Sequence, residues 1–117
     1  MVGGLVVVLG GYGATGRAVS RLILQYTNRD VIIAGRHMDR AERAADALRR
    51  EFPGDRASSA AADASNAEAL GELLADASLV IVCTSTPQHA ATVAQAALIA
   101  GCDYIDLHAE EEAWHAL

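Results

Sequence analysis

The chain contains no lysine. All nine of its basic residues are arginine, which excludes a phosphate loop that depends on a lysine and any catalysis through a lysine amine within the chain. Cysteine is almost as scarce. Cys83 and Cys102 are the only two, too few and too scattered for a metal cluster. Each sits in or beside an apolar run, which suits two buried thiols in a reducing compartment rather than a disulfide. No stretch approaches the ~18 consecutive apolar residues of a membrane span. The apolar start, Leu5 to Leu9, is too short for the core of a signal peptide and lacks a basic flank, so the cytoplasm is the expected location. The formal net charge is -6 and there is no basic stripe, which argues against nucleic acid as a partner.

The 117 residues suffice for one domain, and their pattern alternates throughout. Leu5 to Leu9 is a continuous, β-branched apolar run that reads as a strand buried on both faces. From Ala14 to Tyr26, the apolar residues Val19, Leu22, Ile23 and Tyr26 recur at helical spacing, with Arg17 and Arg21 opposite. Val31 to Ala34 is a second buried strand. Arg40 to Phe52 is a charged, alanine-rich helix closed by Pro53-Gly54. A weak third strand is expected at Arg56 to Ala61, whose serines and alanines lack the apolar, β-branched character of the others. Ser65 or Asn66 can cap a helix running to about Ala75. Leu79 to Cys83 is another buried strand. Pro87 suits the first turn of a helix that ends at Gly101, and Asp103 to Leu107 is a last strand. Glu110 to Leu117 has the pattern of the first turns of a further helix.

Strands alternating with helices of this length imply right-handed crossovers and a parallel sheet. The expected fold is α/β: a Rossmann-type, doubly wound parallel sheet of about five strands in the order 3-2-1-4-5. In that frame the loop Gly11-Tyr12-Gly13-Ala14-Thr15-Gly16 follows a buried strand and opens a helix, as a dinucleotide-binding loop must. Gly11 is expected to make the tight turn, Gly13 to let the backbone approach a pyrophosphate, and Gly16 to let the helix pack closely. The helix's first N–H groups would then face the phosphates.

The end of the second strand bears on which dinucleotide binds. NAD-preferring domains carry an acid there to hold the ribose 2′-hydroxyl. This strand ends Ala34-Gly35-Arg36. Gly35 leaves room, and Arg36 offers a guanidinium fork for a 2′-phosphate; Arg40 could share that role, and Asp39 lies late for a ribose contact. NADP is therefore favoured, with NAD the alternative. Asp63, after the third strand, could lie beside the adenine or cap the next helix. Cys83 ends the fourth strand and Thr84-Ser85-Thr86 follow it, at the carboxyl edge where the nicotinamide ribose would lie; Cys83, Thr84 and Ser85 are the candidate contacts. Of four histidines, only His108 sits just beyond a strand's carboxyl end, and no catalytic residue is assigned.

Gly10-Gly11-Tyr12-Gly13-Ala14-Thr15-Gly16, Ala34-Gly35-Arg36, Val80 to Cys83 with Pro87, and Ala100-Gly101-Cys102-Asp103-Tyr104-Ile105-Asp106-Leu107 together resemble the amino-terminal NAD(P)-binding domain of the saccharopine dehydrogenase-like family. The closing Gly-x-x-Tyr-x-Asp pattern is the more specific part; His108-Ala109 departs from the family's small residue and glycine before Glu110. The resemblance implies an oxidoreductase whose second domain holds the substrate. Residues 1–117 are then expected to be the amino-terminal part of a longer protein, inactive alone, with an open and partly apolar sheet edge through which it could self-associate. The alternatives are a non-catalytic NAD(P)-sensing domain and a short-chain-dehydrogenase-like reductase or regulator. The second of these lacks the lysine of its Tyr-x-x-x-Lys pair.

Overall fold

The computed structural model describes residues 4–83 and 90–107. The β-branched run Leu5–Leu9 forms β1 at the centre of a five-stranded parallel sheet. Helix α1 (Ala14–Tyr26) leads to β2 (Asp30–Gly35), α2 (Met38–Glu51) to β3 (Ala57–Ala61), and α3 (Ala67–Leu74) to β4 (Leu79–Val82). Helix α4 (Ala90–Ala100) then leads to β5 (Asp103–Asp106). The strand order is β3-β2-β1-β4-β5, as the alternating pattern predicts. Val7 pairs with Ile32 on one side and Val80 on the other. Because all strands run the same way, the residues following Leu9, Gly35, Ala61, Val82 and Asp106 share one edge.

Alternation along the strands divides the core into two layers. Val6, Val8, Val31, Ile33 and Ile81 pack under α1 and α2. Val7, Leu9, Val80 and Val82 pack with Leu70, Leu74, Val93, Ala96 and Ala97 of α3 and α4. Small residues let the helices lie close: α2 buries Ala41, Ala44, Ala45 and Leu48. β3, which has no large apolar residue, is tied to α2 by polar contacts. The Arg49 guanidinium donates to the Ala57 carbonyl at 3.0 Å, and the Ser59 hydroxyl donates to Glu42. That hydroxyl, with Arg49 beside it, holds the Glu42 carboxyl below its usual pKa. Arg56, just before β3, donates to the carbonyls of Leu24, Thr27 and Arg29 and so pins the turn between α1 and β2.

Helix α1 corrects one expectation. Its sheet-facing residues are Gly16, Ser20 and Leu24, while Leu22 is 56% and Tyr26 74% exposed. The smallest side chains allow the closest approach to the sheet. Leu22 and Tyr26, each two residues from that stripe, lie about 200° away around the helix. The buried Ser20 hydroxyl is satisfied by donating to the Gly16 carbonyl at 2.8 Å. No described helix is long and apolar enough to cross a membrane. The expected helix at Glu110 to Leu117 and the first turn at Pro87 lie outside the described residues.

Candidate functional site

The glycine loop runs from the carboxyl end of β1 into α1, beside the point where the strand order reverses between β1 and β4. Crevices at such reversals are where open α/β sheets bind ligands. The tight turn belongs to Gly10, not Gly11: Gly10 has φ 79°, a left-handed conformation that only glycine adopts without strain, and its N–H donates to the Ala34 carbonyl at 2.7 Å. Gly11 is buried, and a Cβ there would meet Ile33 and the Val8 carbonyl at 3.0 Å. Gly16 is required by the loop itself. A Cβ there would fall 2.4 Å from Gly11 Cα and 2.6 Å from the Gly10 carbonyl oxygen.

Gly13 is different. It is exposed, and a Cβ there would touch only the Gly10 carbonyl oxygen, at 3.6 Å. Gly13 is also the N-cap of α1, with no side-chain cap and no acid in the first turn. The N–H groups at Ala14, Thr15 and Gly16 thus open a helix whose positive dipole end has no cap or first-turn acid among the described residues. Among the described residues beyond its chain neighbours, no side chain lies within 4 Å of a Cβ at Gly13.

The arginines sort by location. Six are engaged: Arg21 with Glu51, Arg29 with Ser78, Arg43 with Asp39, Arg49 with Glu42, Arg50 with Asp46, and Arg56 with three carbonyls. Among the described residues, the side chains of Arg17, Arg36 and Arg40 have no hydrogen-bond or ion-pair partner, and all three are exposed. These three follow the glycine loop or the end of β2, at the carboxyl edge. Asp39, the weaker ribose candidate, faces Arg43 at 3.4 Å.

Gly35 does not leave an empty space, as the sequence suggests. The ring of Tyr12 lies across it, and a Cβ on Gly35 would fall 2.3 Å from the Tyr12 ring. Tyr12 also meets the His37 ring edge-on, with centroids 6.3 Å apart and planes at 64°. Asp63 begins the turn into α3, accepting from the Ser65 N–H at 2.9 Å and its hydroxyl at 2.7 Å. The cap of α3 itself is Asn66, which accepts from the Ala69 N–H.

On the other side of the reversal, the Cys83 N–H donates to the Leu9 carbonyl. Burial, and then the Asp106 charge, push the Cys83 thiol up to about 11. On β5 the Tyr104 hydroxyl donates to the Asp106 carboxylate at 2.8 Å. Burial and that bond raise the phenol to about 12. This pair was not assigned from sequence, although the Tyr-x-Asp spacing puts both residues on one face of a strand. Cys83 and Cys102 are free thiols. Thr84, Ser85, His108 and Glu110 lie outside the described residues. Among the described residues, no three His, Cys, Asp or Glu side chains could hold a metal ion.

Residues 6–116 match the family model for the saccharopine dehydrogenase NADP-binding domain. No curated protein matches the sequence. The fold is similar to apo saccharopine dehydrogenase (L-Glu forming) from Saccharomyces cerevisiae, at 21% identity and a TM-score of 0.75, covering 89% of this chain and 21% of that one. A short-chain dehydrogenase/reductase from Veillonella parvula, solved in complex with NADP, is similar at 18% identity and a TM-score of 0.71, covering 91% of this chain and 47% of that one. Pen from Bacillus thuringiensis is similar at 15% identity and a TM-score of 0.72, covering 90% and 37% respectively. The chain thus spans between a fifth and a half of these structures' lengths.

Proposed function

The chain belongs to the saccharopine dehydrogenase NADP-binding domain family, and we propose that it holds NADP along the carboxyl edge of its sheet as the cofactor half of an oxidoreductase. The pyrophosphate lies over Gly13, against the N–H groups that open α1. The 2′-phosphate is met by Arg36, with Arg40 one turn into α2 beside it. The observation that carries this reading is the coincidence of two unsatisfied features at one edge. The α1 N-terminus is open and uncapped, and the exposed guanidiniums of Arg17, Arg36 and Arg40 have no partner among the described residues.

When bound, the nicotinamide supplies hydride transfer. The chain's own contribution is to bind and orient. Backbone donors neutralise the pyrophosphate without a lysine, and the charged fork of Arg36 selects the 2′-phosphate. The nicotinamide end would lie towards Cys83, Thr84 and Ser85, and Asp63 borders the adenine side. The substrate is held by a part of the longer oxidoreductase outside this sequence, in keeping with the share of the similar structures that this chain spans. The cytoplasm and its reducing conditions suit the two free thiols.

Calorimetric titration of the purified chain with NADP and NAD tests the proposal. The wild-type chain should bind NADP. Gly13→Val should keep its fold, since among the described residues beyond its chain neighbours the new Cβ meets the Gly10 carbonyl oxygen alone, at 3.6 Å, and lose NADP affinity because a branched side chain occupies the pyrophosphate's place. Unchanged affinity in a folded Gly13→Val chain would overturn the assignment.

A further inference from the structure

We infer that Tyr12 is a specificity-determining residue: its ring fills the space that an acid at position 35 would need, and so commits the end of β2 to a 2′-phosphate rather than a free 2′-hydroxyl. The inference rests on the NADP site proposed above and deepens it.

Gly35 is the last residue of β2, the position at which an NAD-preferring domain places its acid. Here any side chain at 35 collides with Tyr12. A Cβ would stand 2.3 Å from Cε1, 2.6 Å from the hydroxyl oxygen and 2.7 Å from Cζ of that ring. Room for a side chain at 35 requires the Tyr12 ring to swing out of its contacts with the core layer and His37. The Gly35 carbonyl accepts from the Ala62 N–H at 2.8 Å, and the strand is locked in register with Ala61. Tyr12 is fixed at its backbone by the loop, where Gly11 is wedged under Ile33 and Gly16 under Gly11. The ring is half-buried against the layer under α1 and α2, and its far side meets His37.

One ring therefore joins the phosphate loop to the first residues beyond β2, with Arg36 between Gly35 and His37. A neutral phenol in this place does not repel a phosphate, whereas a carboxylate would. The glycine at 35 and the tyrosine at 12 thus act as a pair: the aromatic requires the glycine, and together they exclude the acid that would favour NAD.

The test is a double-mutant cycle on the purified chain. It uses wild type, Gly35→Ala, Gly35→Asp, Tyr12→Ala, Tyr12→Phe and both position-35 substitutions combined with Tyr12→Ala. Thermal midpoints and calorimetric affinities for NADP and NAD are measured for each. Gly35→Ala and Gly35→Asp alone should lower the midpoint, and adding Tyr12→Ala should restore much of it. Gly35→Asp with Tyr12→Ala should prefer NAD, moving the NADP-to-NAD affinity ratio by about tenfold or more. Tyr12→Phe should keep the wild-type preference, because Cε1 and Cζ of the ring still occupy the space. Additive effects on the midpoint would overturn the inference. So would a switch to NAD by Gly35→Asp alone at undiminished stability. Failure of the wild-type chain to bind NADP overturns the underlying site instead, and appears before any variant is compared.

Discussion

The two halves of the carboxyl edge are built on opposite plans. Around β1 and β2 the surface is stripped: Gly13 is exposed, α1 has no side-chain cap, and Arg36 and Arg40 extend without partners among the described residues. Around β4 and β5 the groups are turned inward. Cys83 is half-buried with its thiol raised to about 11, and Tyr104 is bonded to Asp106 with its phenol raised to about 12. On the proposed reading, the first half is the one that meets the cofactor's anionic groups. In the second, among the described residues, the Cys83 thiol is protonated and the Tyr104 hydroxyl is engaged by Asp106. On that reading, the difference teaches that recognition of the dinucleotide's phosphates is concentrated in the first half, while the described residues of the other are packed and turned inward.

The comparison is broken most severely at Gly16. Gly16→Val places atoms inside the loop backbone, and should cost about 3 kcal/mol or more. The variant should lose both thermal stability and NADP binding. It thereby contrasts with Gly13→Val, which should lose binding alone. Retention of a wild-type thermal midpoint by Gly16→Val would show that the loop is not packed as described.

A smaller effect is expected at Arg36. A charge-assisted contact is worth roughly 1.5–3 kcal/mol, so Arg36→Ala should weaken NADP about tenfold or somewhat more while leaving NAD nearly unchanged. Arg40→Ala should act in the same direction and less strongly. Equal losses for both cofactors would assign the arginine to the fold rather than to the 2′-phosphate.

The smallest effect belongs to the β4–β5 half. The Cys83 thiol is raised from 9.0 to about 11, so the folded chain holds its proton over a range where the unfolded chain has lost it. The resulting stability is fully present below about pH 9 and is lost as the pH rises through about 11. The pH profile of iodoacetamide alkylation at Cys83, measured in a Cys102→Ala chain, should have its midpoint well above that of the unfolded chain. Coincident midpoints would mean that the thiol is not desolvated.

The architecture was readable because the strands are continuous β-branched runs and the helices end at strong punctuation such as Gly101 and Pro53-Gly54. Even β3, with its weak composition, lies where the pattern puts it, held by the polar contacts of Glu42, Arg49 and Arg56 rather than by its own hydrophobicity. The glycine loop was legible as a motif, but its internal division of labour was not. That Gly10 turns the chain depends on φ, which no spacing encodes. Gly35 looked like vacant space because sequence reports a missing side chain and not the neighbour that uses the gap. The exposure of Leu22 and Tyr26 was equally hidden: hydrophobic periodicity marks an apolar stripe, yet close packing at Gly16 and Ser20 decided which side of α1 meets the sheet. The Tyr104–Asp106 bond needed only the two-residue spacing of a strand, a signal that was present but not used.

The central claim is that NADP lies on the stripped half of the carboxyl edge. It is tested most directly by an NMR titration of the isotopically labelled chain with NADP, following every backbone amide. The account predicts saturable shifts concentrated at Gly11 to Arg17 and at Gly35 to Arg40. Residues at the amino edge, such as Leu5, Asp30 and Ser78, should stay still. Shifts confined to that amino edge, or to α3 and α4, with the glycine loop unmoved at saturation, would contradict it.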